Sequence, residues 1–235
     1  MQARGPAVVI GGASGIGAAV VARLRAAETP TVVWDRRGTP DIVCDISDPA
    51  GVDVATAATL DHVGVPSQVT ITAGVGHSGP LATASPDEWD QVMAVNAKGV
   101  WLAMRGLGQA MVGAGQGSIV AVSSVSAQLA DRTMGLYCTS KAALDMVVKV
   151  AAVEWSPVRV NAVAPGVTDT PMLGPIPRTG SWLSAVAQRT ALGRLGHADD
   201  IAEAIMAVHS MAWMTGQVVV CDGGLVLHSP IDPPG

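Results

Sequence analysis

The chain has almost no aromatic side chains other than tryptophan: among its 235 residues it has no phenylalanine, a single tyrosine and six tryptophans. Hydrophobic residues nevertheless make up 49 % of it, so the predicted core consists mainly of aliphatic side chains. Charged residues make up only 14 %, and this combination argues against intrinsic disorder. The length suits one large domain, because a single α/β domain often exceeds about 200 residues.

The chain also lacks the charge and cysteine patterns of several protein classes. Its formal net charge is −5 and it has no cluster of Lys and Arg, which argues against a nucleic-acid or membrane-surface partner. Cys44, Cys138 and Cys221 are far apart, which predicts neither a disulfide framework nor a metal site and favours the cytoplasm. The uncharged run 5–22 is interrupted by four glycines, unlike a signal peptide, and no run is long enough for a membrane span.

What the chain does contain is an alternation of short β-branched runs with longer helical patterns. Strands are predicted at 7–10, 31–34, 42–44, 68–72, 118–123, 158–164 and 217–221, and helices at about 15–27, 49–60, 86–112, 136–155 and 198–213. Strands this apolar are typical of a parallel sheet that is covered on both faces. The pattern therefore predicts one doubly wound, Rossmann-type α/β domain over residues 1–235, with about seven strands. Residues 36–41 are too few for a crossover helix, so a loop is predicted between the second and third strands.

The first predicted strand leads into a glycine-rich turn, in which Gly11, Gly15 and Gly17 have the spacing GxxxGxG. Glycines permit a tight turn, and the N-terminus of the following helix offers free N–H groups to a pyrophosphate. The second strand ends at Asp35, whose carboxylate can accept hydrogen bonds from the adenosine ribose and would repel a 2′-phosphate. NAD is therefore predicted over NADP, and the two arginines that follow leave NADP open. A turn that only packs the helix on the sheet is the alternative.

The single tyrosine, Tyr137, lies four residues before Lys141 in a predicted helix, so the two side chains share one face. An unperturbed tyrosine has a pKa of about 10, and a neighbouring ammonium group lowers it by stabilising the phenolate. The pair can therefore form a general acid/base, although this spacing also arises by chance. Ser124, at the end of a predicted strand, and Asn96, in an apolar helical run, are further polar candidates.

The motifs occur in one order: GxxxGxG, the acidic strand end, Asn, Ser, YxxxK and NAVAPGVTDTPM. In this order and spacing the chain resembles the short-chain dehydrogenase/reductase family, from Val8 to the end of TGQVVVCDGG. The resemblance implies that Tyr137 is the general acid/base and that Lys141 lowers its pKa and holds the nicotinamide ribose. It further implies that Ser124 stabilises charge on the substrate oxygen and that Asn96 anchors a water leading from the lysine to solvent.

Asp45 and Ile46 follow the third predicted strand, where they could meet the edge and face of the adenine, and the scattered histidines predict no metal site. The motifs and the resemblance together predict the residues that contact the cofactor. These residues are Gly11, Ser14, Gly15, Ile16, Gly17, Asp35, Arg36, Asp45, Ile46, Ala73, Gly74, Tyr137, Lys141, Pro165, Gly166, Val167 and Thr170. The family further implies a homotetramer or dimer, formed through the helices at 86–112 and 136–155.

Two positions depart from the family pattern. Ile10 stands where the family has Thr before the first glycine, and ITAG at 71–74 replaces Asn-Asn-Ala-Gly. The family residues at these positions lie near each other, so an apolar contact can replace the lost polar pair without leaving a group unsatisfied. Ile10 is therefore predicted to lie within van der Waals reach of residues 71–73.

The segment at about 171–195 is predicted to form a lid over the substrate. Its first half is irregular because of Gly174, Pro175, Pro177 and Gly180, and its apolar residues are Met172, Leu173, Ile176, Trp182 and Leu183. These favour a small hydrophobic or cyclic secondary alcohol or its ketone. Arg178 and Arg189 leave open a 3-oxoacyl-thioester reductase, and a catalytically silent NAD-binding regulator is a third possibility. Among five scattered histidines, His77 could border the substrate.

Overall fold

A computed structural model describes residues 5–174 and 181–227, and within them one large sheet forms the centre of the fold. The strands are β1 (Ala7–Ile10), β2 (Thr31–Asp35), β3 (Ile42–Val43), β4 (Gln68–Ile71), β5 (Ser118–Val122), β6 (Arg159–Pro165), β7 (Thr168–Asp169), β8 (Gly196–His197) and β9 (Val218–Cys221). The main sheet has seven parallel strands in the order β3-β2-β1-β4-β5-β6-β9, which confirms the predicted fold class. β7 and β8, too short to be recognised from the sequence, form a separate two-stranded sheet.

Seven α-helices lie in the described part of the chain. They are α1 (Gly15–Ala26), α2 (Pro49–Val63), α3 (Pro86–Met93), α4 (Val100–Ala114), α5 (Gly135–Glu154), α6 (Ser181–Arg189) and α7 (Ala198–Ser210). The helix predicted at 86–112 is divided, because a π-helical turn at Ala94–Gly99 joins α3 to α4. Helix α6 lies in the lid segment and was not predicted. None of the described helices is long and apolar enough to cross a membrane.

The sheet is buried on both faces because its strands send alternate side chains to opposite sides. In β1, Val8 and Ile10 contribute to a core shared with α2, α4 and α5, whereas Ala7 and Val9 contribute to a core shared with α1 and α7. No helix lies between β2 and β3, as predicted; residues 36–41 form a loop. The strand order reverses between β1 and β4, and in such sheets ligands bind outside the carboxyl ends of the strands at this reversal.

Two helices next to the carboxyl ends of the strands begin at residues whose side chains cap them. Asp48 accepts a hydrogen bond from the N–H of Ala50 at the start of α2, where Pro49 occupies the first turn. Ser85 and Glu88 form a reciprocal capping box at the start of α3. Each cap satisfies backbone donors that have no partner within the helix.

Candidate active site

The loop between β1 and α1 packs so closely on the end of β4 that only glycine fits at key positions. Gly11 has a φ of +83°, and a Cβ atom there would lie 2.5 Å from the backbone nitrogen of Ala73. A Cβ atom at Gly17 would collide with the carbonyl oxygen of Gly11. Gly15 has a φ of +53° and faces Thr170, whose Cβ would lie 3.5 Å from a Cβ placed at the glycine. Gly15 and Thr170, two predicted cofactor contacts that are far apart in the sequence, are therefore neighbours in the structure.

The N-terminus of α1 offers its backbone N–H groups to an anion. Ser14, the N-cap residue, has an extended backbone and makes no capping hydrogen bond with its side chain, and the first turn, which includes Ile16, contains no acidic residue. Free N–H groups together with the helix dipole favour a bound phosphate at such a terminus. The glycine cradle and this open terminus fit the pyrophosphate of a dinucleotide.

The carboxylate of Asp35 lies beside the glycine loop. Its Oδ2 accepts a hydrogen bond from the N–H of Ala13 at 3.0 Å, and its Oδ1 accepts one from the N–H of Arg37 at 3.1 Å. Each carboxylate oxygen can accept a second bond, so both can still bind a ribose hydroxyl. Arg36 Nη1 lies 3.8 Å from Asp45 Oδ2, and both of these side chains are about half exposed.

The side chain of Ile46 lies in the core and is 4 % exposed. Asp45, the other residue predicted to contact the adenine, is at the surface. Two hydrogen bonds from Ser47 hold the pKa of Asp45 below its usual value. Adenine binding at these two positions stays a prediction.

The region in which the sequence departs from the family pattern contains a direct strand contact. Ile10 pairs with Ile71 in the parallel register of β1 and β4, and its carbonyl oxygen accepts a hydrogen bond from the N–H of Thr72 at 2.8 Å, which confirms the predicted proximity. The Thr72 hydroxyl lies 3.1 Å from the carbonyl oxygen of Ile10 and 3.0 Å from that of Gly11. One hydroxyl therefore remains in this region, directly after β4 rather than at the end of β1.

Tyr137, Ser124 and Lys141 come together where β5 meets α5. The Ser124 side chain lies close enough to Tyr137 to affect its pKa, and the Lys141 Nζ lies 5.8 Å from the centroid of the tyrosine ring. Lys141 Nζ also donates a hydrogen bond to the carbonyl oxygen of Val122 at 2.9 Å. Burial raises the pKa of Tyr137, and the nearby Ser124 hydroxyl opposes this effect. Burial lowers the pKa of Lys141 to about 8, against the opposing charge of Asp145.

Asn96 is fully buried in the π-helical turn and binds the loop that follows β4. Its Oδ1 accepts a hydrogen bond from the N–H of Val75 at 2.8 Å, and its Nδ2 donates to the carbonyl oxygen of Val75 at 2.9 Å and to Ser140 Oγ at 3.0 Å. A Cβ atom at Gly74 would lie 3.2 Å from Asn96 Oδ1 and 3.6 Å from Lys141 Nζ. The π turn thus brings Asn96 to the lysine, and such turns are frequent at functional sites.

The segment after β6 closes the other side of the site. Gly166, which follows Pro165, packs so closely on Asp222 that a Cβ atom would lie 2.8 Å from the Cβ of the aspartate. Val167 and the strand β7 then lead to Thr170. Met172 Cε lies 3.8 Å from the position of a Cβ at Gly74, which places the start of the predicted lid segment beside Lys141.

The structure describes the predicted lid segment again from Ser181 onward. Leu183 is 5 % exposed and packs into the protein body, whereas Trp182 is about half exposed. The lid positions Pro175, Ile176, Pro177, Arg178 and Gly180 lie outside the described residues.

Sequence reasoning missed a buried pair next to the catalytic candidates. The Ser123 hydroxyl donates a hydrogen bond to Asp145 Oδ1 at 2.5 Å, and Asp145 is 8 % exposed. The signal that could have revealed it is an aspartate in an apolar stretch of helix, four residues after Lys141.

His77, in the loop after β4, contacts the start of α3, and its place beside the substrate stays a prediction. Its Nε2 is 3.4 Å from Glu88 Oε1, in the capping box of α3. No group of His, Cys, Asp and Glu in residues 5–174 and 181–227 is arranged to hold a metal ion.

Comparison with known proteins agrees with this geometry. A family model described as enoyl-(acyl carrier protein) reductase matches residues 11–226. D-Threitol dehydrogenase of Mycolicibacterium smegmatis is 32 % identical, over 94 % of this chain and 92 % of its own length. Galactitol 2-dehydrogenase (L-tagatose-forming) of Cereibacter sphaeroides is 31 % identical, over 93 % of each chain. The ligand-free structure of aldohexose dehydrogenase from Thermoplasma acidophilum has a TM-score of 0.91 at 27 % identity, covering 100 % of this chain and 99 % of its own.

These matches span nearly the whole chain and agree with the sheet order, the glycine cradle and the contacts between α5 and the end of β5. The relatives act on alcohols, as their names state. The chain therefore belongs to the short-chain dehydrogenase/reductase family of nicotinamide-dependent oxidoreductases.

Proposed function

We propose that this protein is an NAD-dependent oxidoreductase that interconverts a small secondary alcohol and its ketone. The observation that carries the proposal is the convergence of Ser124, Tyr137 and Lys141 at the carboxyl end of β5, beside Gly74 and the glycine loop. A phenol, a hydroxyl and a buried ammonium group in one place can move a proton to or from a substrate oxygen.

Each polar side chain has a separate role in the proposed reaction. Tyr137 exchanges a proton with the substrate oxygen, and Ser124, which lies beside Tyr137, donates a second hydrogen bond to that oxygen. Lys141 stabilises the phenolate electrostatically. Asn96, bonded to the backbone of Val75, fixes the loop that faces the lysine. The bound nicotinamide would accept or supply the hydride.

The residues that would hold the cofactor surround the carboxyl ends of the strands. Gly11, Ser14, Gly15, Ile16 and Gly17 would hold the pyrophosphate, Asp35, Arg36, Asp45 and Ile46 the adenosine, and Ala73, Gly74, Tyr137, Lys141, Pro165, Gly166, Val167 and Thr170 the nicotinamide half. Two features support NAD over NADP. The Asp35 carboxylate would repel a 2′-phosphate, and the nearby Arg36 is already paired with Asp45.

Two observations bear on the substrate. Met172 and Trp182 each leave about half of an apolar side chain exposed in the lid segment, which favours a carbon-rich or cyclic substrate. The relatives act on D-threitol and galactitol, which favours a substrate with more than one hydroxyl. A small cyclic alcohol with a neighbouring hydroxyl satisfies both.

A 3-oxoacyl-thioester reductase is the second candidate within the family. The description of the matching family model also names an acyl-carrier-protein substrate, although the enoyl reduction in that description is a different reaction. An acidic carrier protein would favour a basic docking surface, however, and this chain has a net charge of −5. A silent NAD-binding regulator would have no need of Ser124 beside Tyr137.

A homo-oligomer and a cytoplasmic location also stay proposals. Met146, Val150 and Val153 leave a row of exposed apolar side chains on α5, with Val153 80 % exposed. Such a row suits a helix-to-helix contact with a second copy.

The deciding experiment measures reduction of NAD and of NADP with cyclic alcohols, polyols and 3-hydroxyacyl thioesters. Tyr137→Phe should lower kcat by at least about 100-fold, because general acid/base catalysis contributes factors of this size. Its NAD affinity, measured by isothermal titration calorimetry, should stay within about twofold, since a phenylalanine retains the ring and removes only the proton-transfer group.

Retained turnover in Tyr137→Phe would refute the assignment of Tyr137. Tight NAD binding by the wild type without turnover on any substrate would favour the silent regulator. Thr139→Val is a matched control on the same helix, because its exposed hydroxyl bonds only to the carbonyl oxygen of Gly135 among the described contacts.

A further inference from the structure

Helix α5 carries a buried carboxylate that has no part in the proposed proton transfer. Asp145 lies one helical turn after Lys141 and is 8 % exposed. Ser123 Oγ donates a hydrogen bond to Asp145 Oδ1 at 2.5 Å. Burial of a carboxylate is strongly unfavourable unless it is hydrogen-bonded and compensated by charge. The burial of Asp145 therefore needs a structural or functional explanation.

The carboxylate belongs to the contact that assembles the catalytic candidates. Three consecutive residues, the last of β5 and the two that follow it, face three residues of α5 that are spaced by four, and this spacing places the three helix residues on one face. The carbonyl oxygen of Val122 is bonded to Lys141 and the Ser123 hydroxyl to Asp145. Ser124 lies beside Tyr137.

The charges in this contact are linked. Lys141 is fully buried, which disfavours its ammonium form, and the negative charge of Asp145 acts in the opposite direction. Burial raises the pKa of Asp145, against the bond from Ser123 and the charges of Lys149 and Lys141. Among the described side chains, these two lysines are the charges that act on Asp145, and Asp145 is the charge that acts on Lys141.

We infer that Asp145 is a positioning residue of the active site. Its carboxylate keeps Lys141 in the ammonium form and, through Ser123, holds the end of β5 that carries Ser124. The inference rests on the proposed function, because a charged lysine matters for turnover only if Tyr137 is the general acid/base.

The variant Asp145→Asn removes the charge and keeps an acceptor for Ser123. Lysine labelled with ¹³C at Cε gives resonances for Lys98, Lys141 and Lys149 alone, since these are the lysines of the chain. In the variant, the titration midpoint of Lys141 should fall by about one pH unit. Because fewer molecules then carry the ammonium group, kcat should fall by about twofold at pH 7 and by up to about tenfold at pH 9.

Glu154→Gln is the matched control, since Glu154 is an exposed carboxylate on the same helix and its removal should leave the Lys141 midpoint and both kcat values unchanged. In Ser123→Ala the charge remains, so the Lys141 midpoint should stay within about 0.3 pH units of the wild type. A Lys141 midpoint that is unchanged or raised in Asp145→Asn would overturn the inference.

If circular dichroism shows that Asp145→Asn does not fold, the double variant Ser123→Ala with Asp145→Leu makes the same test, because it removes both bonded groups together and leaves neither unsatisfied. An unchanged Lys141 midpoint there overturns the inference equally. The lysine titration needs no substrate. A wild-type protein without turnover therefore defeats the proposed function, while the titration still decides the role of Asp145.

Discussion

Burial drives the two central side chains toward their neutral forms. It raises the pKa of Tyr137 and lowers that of Lys141 to about 8. The protein without cofactor therefore holds a protonated phenol next to an ammonium group that titrates near neutral pH. The proposed proton transfer needs a phenolate, so a further positive charge has to come from the oxidised nicotinamide ring.

The single tyrosine makes this consequence directly measurable. Tyrosine labelled with ¹³C at Cζ gives one resonance, that of Tyr137. In the free protein its titration midpoint should lie above the usual value of about 10, because burial disfavours the phenolate. Saturating NAD⁺ should lower the midpoint by at least about one pH unit.

NADH is the control for this titration, since the reduced ring carries no positive charge. It should fill the same site without lowering the Tyr137 midpoint. Equal midpoints with NAD⁺ and NADH would contradict the electrostatic explanation, and the buried Tyr137 would then need another source of activation.

At the scale of elements, the first turn of α1 and the last turn of α4 contain glycines in opposite surroundings. A Cβ at Gly17 would lie 2.6 Å from the Thr72 hydroxyl and would collide with the carbonyl oxygen of Gly11. Gly113, near the end of α4, has nothing within 4 Å of the same position. Substitution by alanine therefore tests close packing at Gly17 in α1 and backbone entropy at Gly113 in α4.

Gly17→Ala should lower the free energy of unfolding by about 1–3 kcal/mol, the usual cost of forcing atoms into a packed site. It should also weaken NAD binding, because the displaced loop carries the phosphate site. Gly113→Ala should instead raise the free energy of unfolding by up to about 1 kcal/mol. Urea unfolding measures the change in stability, and calorimetric NAD titration measures the change in affinity. Equal effects of the two substitutions would contradict the close packing of Gly17 against Gly11 and Thr72.

The sequence predicted the elements with strong patterns and missed those that depend on tertiary contacts. Strands such as β1 and β5 were located within one residue, because β-branched runs between turn residues are a local signal. The π turn at Ala94–Gly99 has no such signal, since its geometry follows from Asn96 binding the loop after β4. The pair Ser123–Asp145 was missed for the same reason: its residues are 22 positions apart and meet only when α5 packs on β5.

At the scale of the whole molecule, a histidine joins the sheet to a helix on the face opposite α5. His209, in α7, is fully enclosed, with Nε2 2.9 Å from Thr70 Oγ1 on β4 and Nδ1 2.9 Å from Ser118 Oγ on β5. Arg159 donates to the carbonyl oxygen of His209 at 2.8 Å, near the C-terminus of the helix. Burial, with a smaller effect of the Arg159 charge, lowers the pKa of His209 to about 3.

This burial should make the stability of the fold depend on pH. Between the unfolded value of about 6.5 and the folded value of about 3, the unfolded chain holds a proton on His209 that the folded chain lacks. The free energy of unfolding therefore decreases as pH falls through this range, by at most about 1.4 kcal/mol per pH unit for one such group. Other groups titrate in the same range, so a comparison with a variant is needed.

His209→Gln keeps an amide that can bridge the two hydroxyls and removes the titrating group. Urea unfolding at pH 7.5 and pH 4.5 should show that the wild type loses about 2–3 kcal/mol more than this variant between the two values. His62→Gln, at an exposed histidine on α2, should follow the wild type. If His209→Gln loses as much stability as the wild type, the prediction is contradicted and His209 is protonated in the folded protein. The charged ring can then only donate its hydrogen bonds to the hydroxyls of Thr70 and Ser118.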